Sequence, residues 1–304
     1  MQFSLMERMW FADFEDEEAE QKAAESLAAT VGQLRGVLPV PDVAAKLVSM
    51  VNDPDYKTSD ISDLITTDAG LSSRILRVIN SPSYSLRSEC KSISHAVVLL
   101  GAKTVRETAV ALSLLGVFDD KTGYGERLLQ HSSMVGGLAN KLASRVSQLH
   151  DIDVYSCALL HDIGKLLQLQ ADETYVDILK SCSGADEVHE LEREKYGYDH
   201  AVLAGHVLAE WNIPEPLPTA IAWHHKPQRA IEANNQTTAI VAAVRIADQL
   251  AYALSSGEVS MEETIRELVA DPCAEYLGIS LADLQDLWPE LVDICQGENL
   301  SFAA

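Results

Sequence analysis

Apolar residues recur along this chain at intervals of three and four, and no convincing stretch alternates them with polar ones. Val43, Leu47, Met50 and Val51 share one helical face, and Ile61, Leu64 and Ile65 share the next. The same spacing returns in Leu71, Ile75, Val78 and Ile79, then from Ile93 through Val97 to Leu100, then in Val105, Ala109, Leu112 and Leu115. Turn-forming residues separate these runs. Asn52-Asp-Pro-Asp55 and Asn80-Ser-Pro82 stop two of them, Gly101 interrupts a third, and Thr58 or Ser59 is placed to cap the second. Near the end, Met261–Val269 and Leu281–Trp288 are amphipathic helices without obvious chemistry. The pattern predicts an all-α protein.

Changes in character divide the chain into four stretches. Residues 1–35 begin with a Met-rich apolar segment and continue into the acidic run Asp13–Glu20. This stretch reads either as an amphipathic helix packed on the body or on a neighbouring chain, or as a solvated tail. Gly36-Val-Leu-Pro-Val-Pro41 marks the next boundary, because two prolines cannot continue a helix. Residues 36–122 hold the helices above. The polar loop Asp119–Gly125 leads into 123–255, and 256–304 carry the terminal helices.

Charge narrows the function classes. The 304 residues carry 46 acidic against 23 basic side chains, a formal charge of -23. Nucleic-acid affinity rests on Lys and Arg neutralising phosphates, so this balance argues against a nucleic-acid or anionic-membrane partner. Thr67–Arg77 has a helix–turn–helix look, with Arg74 and Arg77 three apart, but such hairpins are common in helical bundles. Five cysteines without a Cys-x-x-Cys pair indicate neither a disulfide framework nor a zinc ribbon, and suggest reduced thiols. Glu7 and Arg8 interrupt the apolar N-terminus, and no run approaches the ~20 apolar residues needed to span a bilayer. A cytoplasmic location is expected. The Met-rich N-terminus leaves homodimerisation open.

The chemistry is concentrated in the second half. Cys157–Leu167 sets His161 and Asp162 inside an apolar helical run, where burial is costly unless a partner or a metal compensates. On one helix the two side chains would diverge by ~100°. Lys165, four residues after His161, would share its face and could meet a phosphate. Alternatively it could snorkel to the surface. His131, His200, the doublet His224-His225 and Asp248 are residues of the same ligand class. Each has a bland reading. His131 could be a cap or surface group, His224-His225 could answer a helix dipole, and His200 could be a core histidine. Asp248 interrupts an apolar face and is harder to explain. His95, His150, His189 and His206 read as structural. Gly136 and Gly137 suggest close helix approach.

With these residues in view, the chain resembles HDOD-domain proteins, a bacterial signalling branch of the HD metal-dependent phosphohydrolase superfamily. The resemblance covers roughly residues 30–255. It rests on Leu38-Pro-Val-Pro41, Asn80-Ser-Pro-Ser-Tyr84, Ile93–Gly101, Ala158-Leu-Leu-His-Asp-Ile-Gly-Lys165, Tyr196-Gly-Tyr-Asp-His200, Glu210-Trp-Asn-Ile-Pro214 and Ile221-Ala-Trp-His-His225. Their order and spacing are more specific than any one of them.

The resemblance implies a multi-helix HD-like bundle with an additional N-terminal helical subdomain. Residues 36–122 would then be the N-terminal helical half of the domain and 123–255 the metal-site half. It assigns one ion to His131, His161, Asp162 and Asp248, and a second, in two-metal relatives, to His200, His224 and His225. The nitrogen-rich set favours Fe, Mn or Zn over Mg. Two functions follow from it. One is a signal-transduction module docking protein partners or a small phosphorylated ligand. The other is a phosphohydrolase or phosphodiesterase acting on a nucleotide-like substrate, with Asp162 and Lys165 as catalytic residues. The His224-His225 pair runs into Lys226-Pro-Gln-Arg229 without the Gly-Tyr-Pro loop of cyclic-dinucleotide phosphodiesterases, which argues against cyclic di-GMP hydrolysis.

Overall fold

The spacing seen in the sequence becomes buried helix faces. In the computed structural model the described residues are 17–50, 57–84, 86, 88–118, 123–150, 152–182, 185–234, 237–256 and 260–302, and they contain helices and no strand. The Met-rich start, the Asn52–Asp55 turn and most of the Asp119–Gly125 loop lie outside them. Two compact units form. One takes Met1–Pro39, Phe118–Leu128 and His161–Val241; the other takes Val40–Val117, Leu129–Leu160 and Ala242–Ala304. Each unit therefore gathers segments from several of the stretches delimited by composition, and each is described by itself.

The unit containing the chain start opens with α1 (Glu17–Val37). Ala23, Ala24, Leu27, Val31 and Leu34 are buried along one seam of it. That seam packs on α9 (Ile163–Ala171), α11 (Ala185–Tyr196) and α12 (His200–Glu210). Gln33 donates to the Ala171 carbonyl at 3.0 Å, and the Tyr198 hydroxyl donates to Thr30 at 2.7 Å. An exposed Arg35–Glu210 ion pair adds little, since solvent screens it. From Glu17 onward the acidic N-terminal stretch is thus a packed helix, not a solvated tail. α10 (Tyr175–Ser181) packs on α11, and α13 (Leu217–Trp223) on α12. α14 (Pro227–Ala233) follows α13 after a short break.

The other unit is built on α2 (Asp42–Ser49), α3 (Thr58–Thr66), α4 (Ala69–Ile79), α5 (Ile93–Leu100) and α6 (Ala102–Leu115). Leu47, Ile61, Ile65, Ile75, Ile79, Val105 and Ala109 are fully buried among them. Asp68 caps α4 by accepting from Leu71 N at 2.9 Å, and Ser92 caps α5 by accepting from His95 N. The expected cap of α3 differs. Thr58 already lies in the helix, and Asp60 accepts from Lys57 N at 2.8 Å, reaching back where a hydroxyl was expected to reach forward. A side chain added at Gly116 would meet the Arg74 guanidinium, so that arginine packs over the end of α6.

α7 (Tyr124–Ala143), α8 (Val154–Leu160), α15 (Thr238–Ser256), α16 (Met261–Ala270), α17 (Pro272–Leu277) and α18 (Leu281–Phe302) complete the helices. Asp153 starts α8, accepting from Ser156 N at 3.3 Å and Ser156 Oγ at 2.7 Å, and it is hydrogen bonded to Glu107 of α6. The close approach expected at Gly136 is present. A Cβ there would lie 3.0 Å from the Tyr155 ring. No helix among the described residues is long and apolar enough to cross a membrane.

Candidate metal centre

His161 and Asp162 do not sit within one continuous helix, as the apolar run suggested. α8 ends at Leu160 and α9 begins at Ile163, with Asp162 at the N-cap of α9 at φ -97, ψ 9. This sparsely populated backbone geometry lets the chain turn at the doublet while both side chains stay buried, at 1% and 2% exposure. The turn, and not a 100° helical offset, sets their directions.

Two further helix ends converge on Asp162. His200 is the first residue of α12, whose N-cap Asp199 accepts from Val202 N at 2.9 Å. His224 is the C-cap of α13 and His225 follows it. The four residues Asp162, His200, His224 and His225 each offer a ligand atom, all within 4.8 Å of one another. His200 Nε2 lies 3.1 Å from Asp162 Oδ1 and 3.0 Å from His225 Nε2. His224 Nε2 is 3.9 Å from Asp162 Oδ1. His161 belongs to the same neighbourhood, with Nε2 at 3.5 Å from Asp162 Oδ2 and its ring edge-on to His224 at 5.2 Å between centroids.

Lys165 is neither exposed nor snorkelling. It is 8% exposed and donates to Asp162 Oδ2 at 2.6 Å. Backbone contact explains why Gly164 lies between Asp162 and Lys165. A Cβ on Gly164 would stand 1.9 Å from the His200 carbonyl oxygen, so only glycine lets α9 approach the start of α12 this closely. The motif's glycine is a spacer for the site.

The buried charges of the cluster shift one another strongly. Burial would raise the Asp162 carboxyl, but His161, Lys165 and His200 outweigh it and hold the group well below its usual range. Burial opposes charge on His200 too, yet Glu192 and Asp162 raise it to about 9. Burial, His161 and His200 push His224 down to about 3, and burial with His224 and His200 keeps His225 well below its ordinary value. His224 and His225 thus present neutral nitrogens, the form that binds metals. His224 Nε2 and His225 Nδ1 are buried without a well-directed hydrogen bond among the described residues. Leaving such atoms unpaired costs about 1–3 kcal/mol each, and a divalent ion would relieve that cost. Asp162, His224 and His225 fit a metal by type, protonation and proximity, and His200 fits by type and proximity once an ion displaces its proton.

His131 and Asp248 belong to the other unit, where Nε2 and Oδ1 meet at 2.9 Å. His131 lies well inside α7, not at a helix start, and Asp248 is 6% exposed on α15. The apolar-face carboxylate therefore has a histidine partner.

One side chain escaped the sequence reading. Glu192 of α11 is 1% exposed and accepts from His200 twice, from Nδ1 at 2.7 Å and from the main-chain N at 2.8 Å, while the Tyr175 hydroxyl donates to its other oxygen. It is one of several acidic residues in a polar helix, and only its burial distinguishes it. His189, read as structural, stacks on His225 with centroids 4.6 Å apart.

The model of the HDOD domain matches residues 37–227, and the chain belongs to that family. An HDOD domain protein of unknown function from Geobacter sulfurreducens has the same fold, with a TM-score of 0.70 at 24% identity over 92% of this chain and 99% of that one. A candidate phosphohydrolase from Shewanella amazonensis SB2B aligns with a TM-score of 0.69 at 23% identity, over 90% and 98% of the two chains. An uncharacterized protein of Treponema pallidum is 25% identical over 76% of this chain, and Ribonuclease Y 2 of Levilactobacillus brevis is 25% identical over 60% of it. The chain spans 45% and 32% of the lengths of those two relatives.

Proposed function

We propose that this protein is a bacterial signal-transduction HDOD protein that holds a divalent metal at Asp162, His200, His224 and His225, with His161 beside them. The observation that carries this reading is the convergence of four buried or half-buried ligand-type side chains, among which His224 and His225 present neutral nitrogens without well-directed partners. Nitrogen-rich ligation favours Fe, Mn or Zn. The resemblance gives ligand roles to His131 and Asp248 as well, and His131→Ala and Asp248→Ala test those roles separately. Regulation would act through protein partners or a small phosphorylated ligand whose affinity depends on the loaded site. The test is partner capture and ligand binding by metal-loaded wild type against Asp162→Ala. Binding that is indifferent to the substitution would separate signalling from the site.

A second reading is a metal-dependent phosphohydrolase or phosphodiesterase. Two observations favour it: the buried Lys165 on Asp162, and kinship with a protein named as a ribonuclease. When bound, a divalent ion acts as a Lewis acid on a phosphoryl oxygen and supplies a nucleophile at neutral pH. Asp162 would help hold the ion, and Lys165 would place positive charge beside the phosphoryl oxygens. A panel of nucleotide and phosphodiester substrates, assayed with Mn or Fe, tests it. Silence across the panel would leave the regulatory reading alone.

A further inference from the structure

The segment between α11 and α12 is pinned by two successive residues of α11. Arg193 Nε donates to Asp199 Oδ2 at 2.7 Å, and Glu192 takes both the main-chain N–H and the ring Nδ1 of His200. On its opposite side the His200 carbonyl lies against Gly164 of α9, so the residue is held by side chain and main chain together. Glu192 is itself held by the hydroxyl of Tyr175, which is fully buried on α10. Burying a carboxylate to this depth is costly unless each oxygen is satisfied, and here each one is. A neutral acceptor would suffice to fill the space. An anion does more, because a carboxylate on one imidazole nitrogen fixes the tautomer and strengthens the other nitrogen as a ligand.

We propose that Glu192, held by Tyr175, is a positioning residue of the metal site: by occupying Nδ1 of His200 it leaves Nε2 to face Asp162 and His225. This rests on the reading of the cluster as a metal site. The ring is thereby set for metal through Nε2 alone, and the backbone bond from His200 N prevents it from drifting along the helix end.

The test uses the full chain with zinc as the probe metal. Zinc affinity is measured by chelator competition, and the imidazole N–H signals of the zinc-loaded protein are read by 15N-resolved NMR. Wild type should show a slowly exchanging N–H at His200 Nδ1. Glu192→Ala should lose that signal and weaken zinc binding by about 10–100-fold. Glu192→Gln, whose amide oxygen can still accept from Nδ1–H, should restore the signal and bring affinity to within a few-fold of wild type. Tyr175→Phe, which spares the carboxylate, should keep the signal and weaken zinc several-fold. Wild-type affinity and an intact signal in Glu192→Ala would overturn the proposal. So would equal loss in the Ala and Gln variants with matching drops in unfolding temperature, which would make Glu192 structural only. Failure of wild type to bind zinc would overturn the metal reading itself, a result distinct from either.

Discussion

Gly164→Ala is the sharpest perturbation, because it adds one methyl group at the closest backbone approach in the site. That methyl would lie 1.9 Å from the His200 carbonyl oxygen and 2.6 Å from its carbon. Unstrained contact needs about 3.5 Å, so α9 and the start of α12 must part by roughly 1.5 Å. Overpacking of this kind costs about 1–3 kcal/mol, and the obstacle here is main chain, which places it at the upper end. Alanine's better helix propensity returns up to about 1 kcal/mol. The net loss of about 2 kcal/mol should lower the unfolding temperature by roughly 4–8 °C. The functional effect should be larger, since Asp162 and His200 ride on the two separated helices and their ligand atoms now stand 3.1 Å apart. We expect metal affinity to fall at least tenfold. Calorimetry and metal titration on the same preparation check both parts. Wild-type melting with wild-type metal affinity would refute the close-approach argument.

Three further outcomes are expected. Lys165→Met should destabilise the metal-free protein by about 3 kcal/mol, because it leaves the buried Asp162 without its 2.6 Å partner, and saturating metal should narrow that gap in a denaturant titration. Burial, with help from Asp153, pushes Glu107 up to about 7 from an ordinary 4.5, so the folded state holds that proton between the two values. The corresponding stability, about 3 kcal/mol at most, is complete below about pH 4.5 and is lost as pH rises through about 7. Urea midpoints should show this fall between about pH 4.5 and 7 and level off above it, and Glu107→Gln should flatten it. Leu27→Ala, which empties a fully packed position of α1, should cost about 2–5 kcal/mol, whereas Arg35→Ala should leave stability nearly unchanged because solvent screens its ion pair; chemical denaturation distinguishes them.

Much of the fold was legible in the sequence because helix burial is a local, periodic property. The faces carrying Leu47, Ile61–Ile65 and Leu71–Ile79 are the buried faces observed. The candidate ligands were legible because carboxylates and imidazoles in apolar runs are costly without partners. Their directions were not, since the break at His161-Asp162 follows from the backbone turn between α8 and α9 and leaves no proline or glycine signal at the doublet itself. Glu192 was invisible for a related reason. Its helix carries several acidic residues, and only the packing of α10, α11 and α1 turns this glutamate inward. The chain path of the units was equally hidden, because composition changes along the sequence whereas packing joins distant segments.

The central claim is that Asp162 and the histidines around it bind a metal. Elemental analysis of the full chain purified without added metal, with Asp162→Ala prepared in parallel, tests it most directly. The account predicts one or two equivalents of Fe, Mn or Zn in wild type and their loss in the variant. Wild-type protein that carries no metal, even after reconstitution, would contradict it.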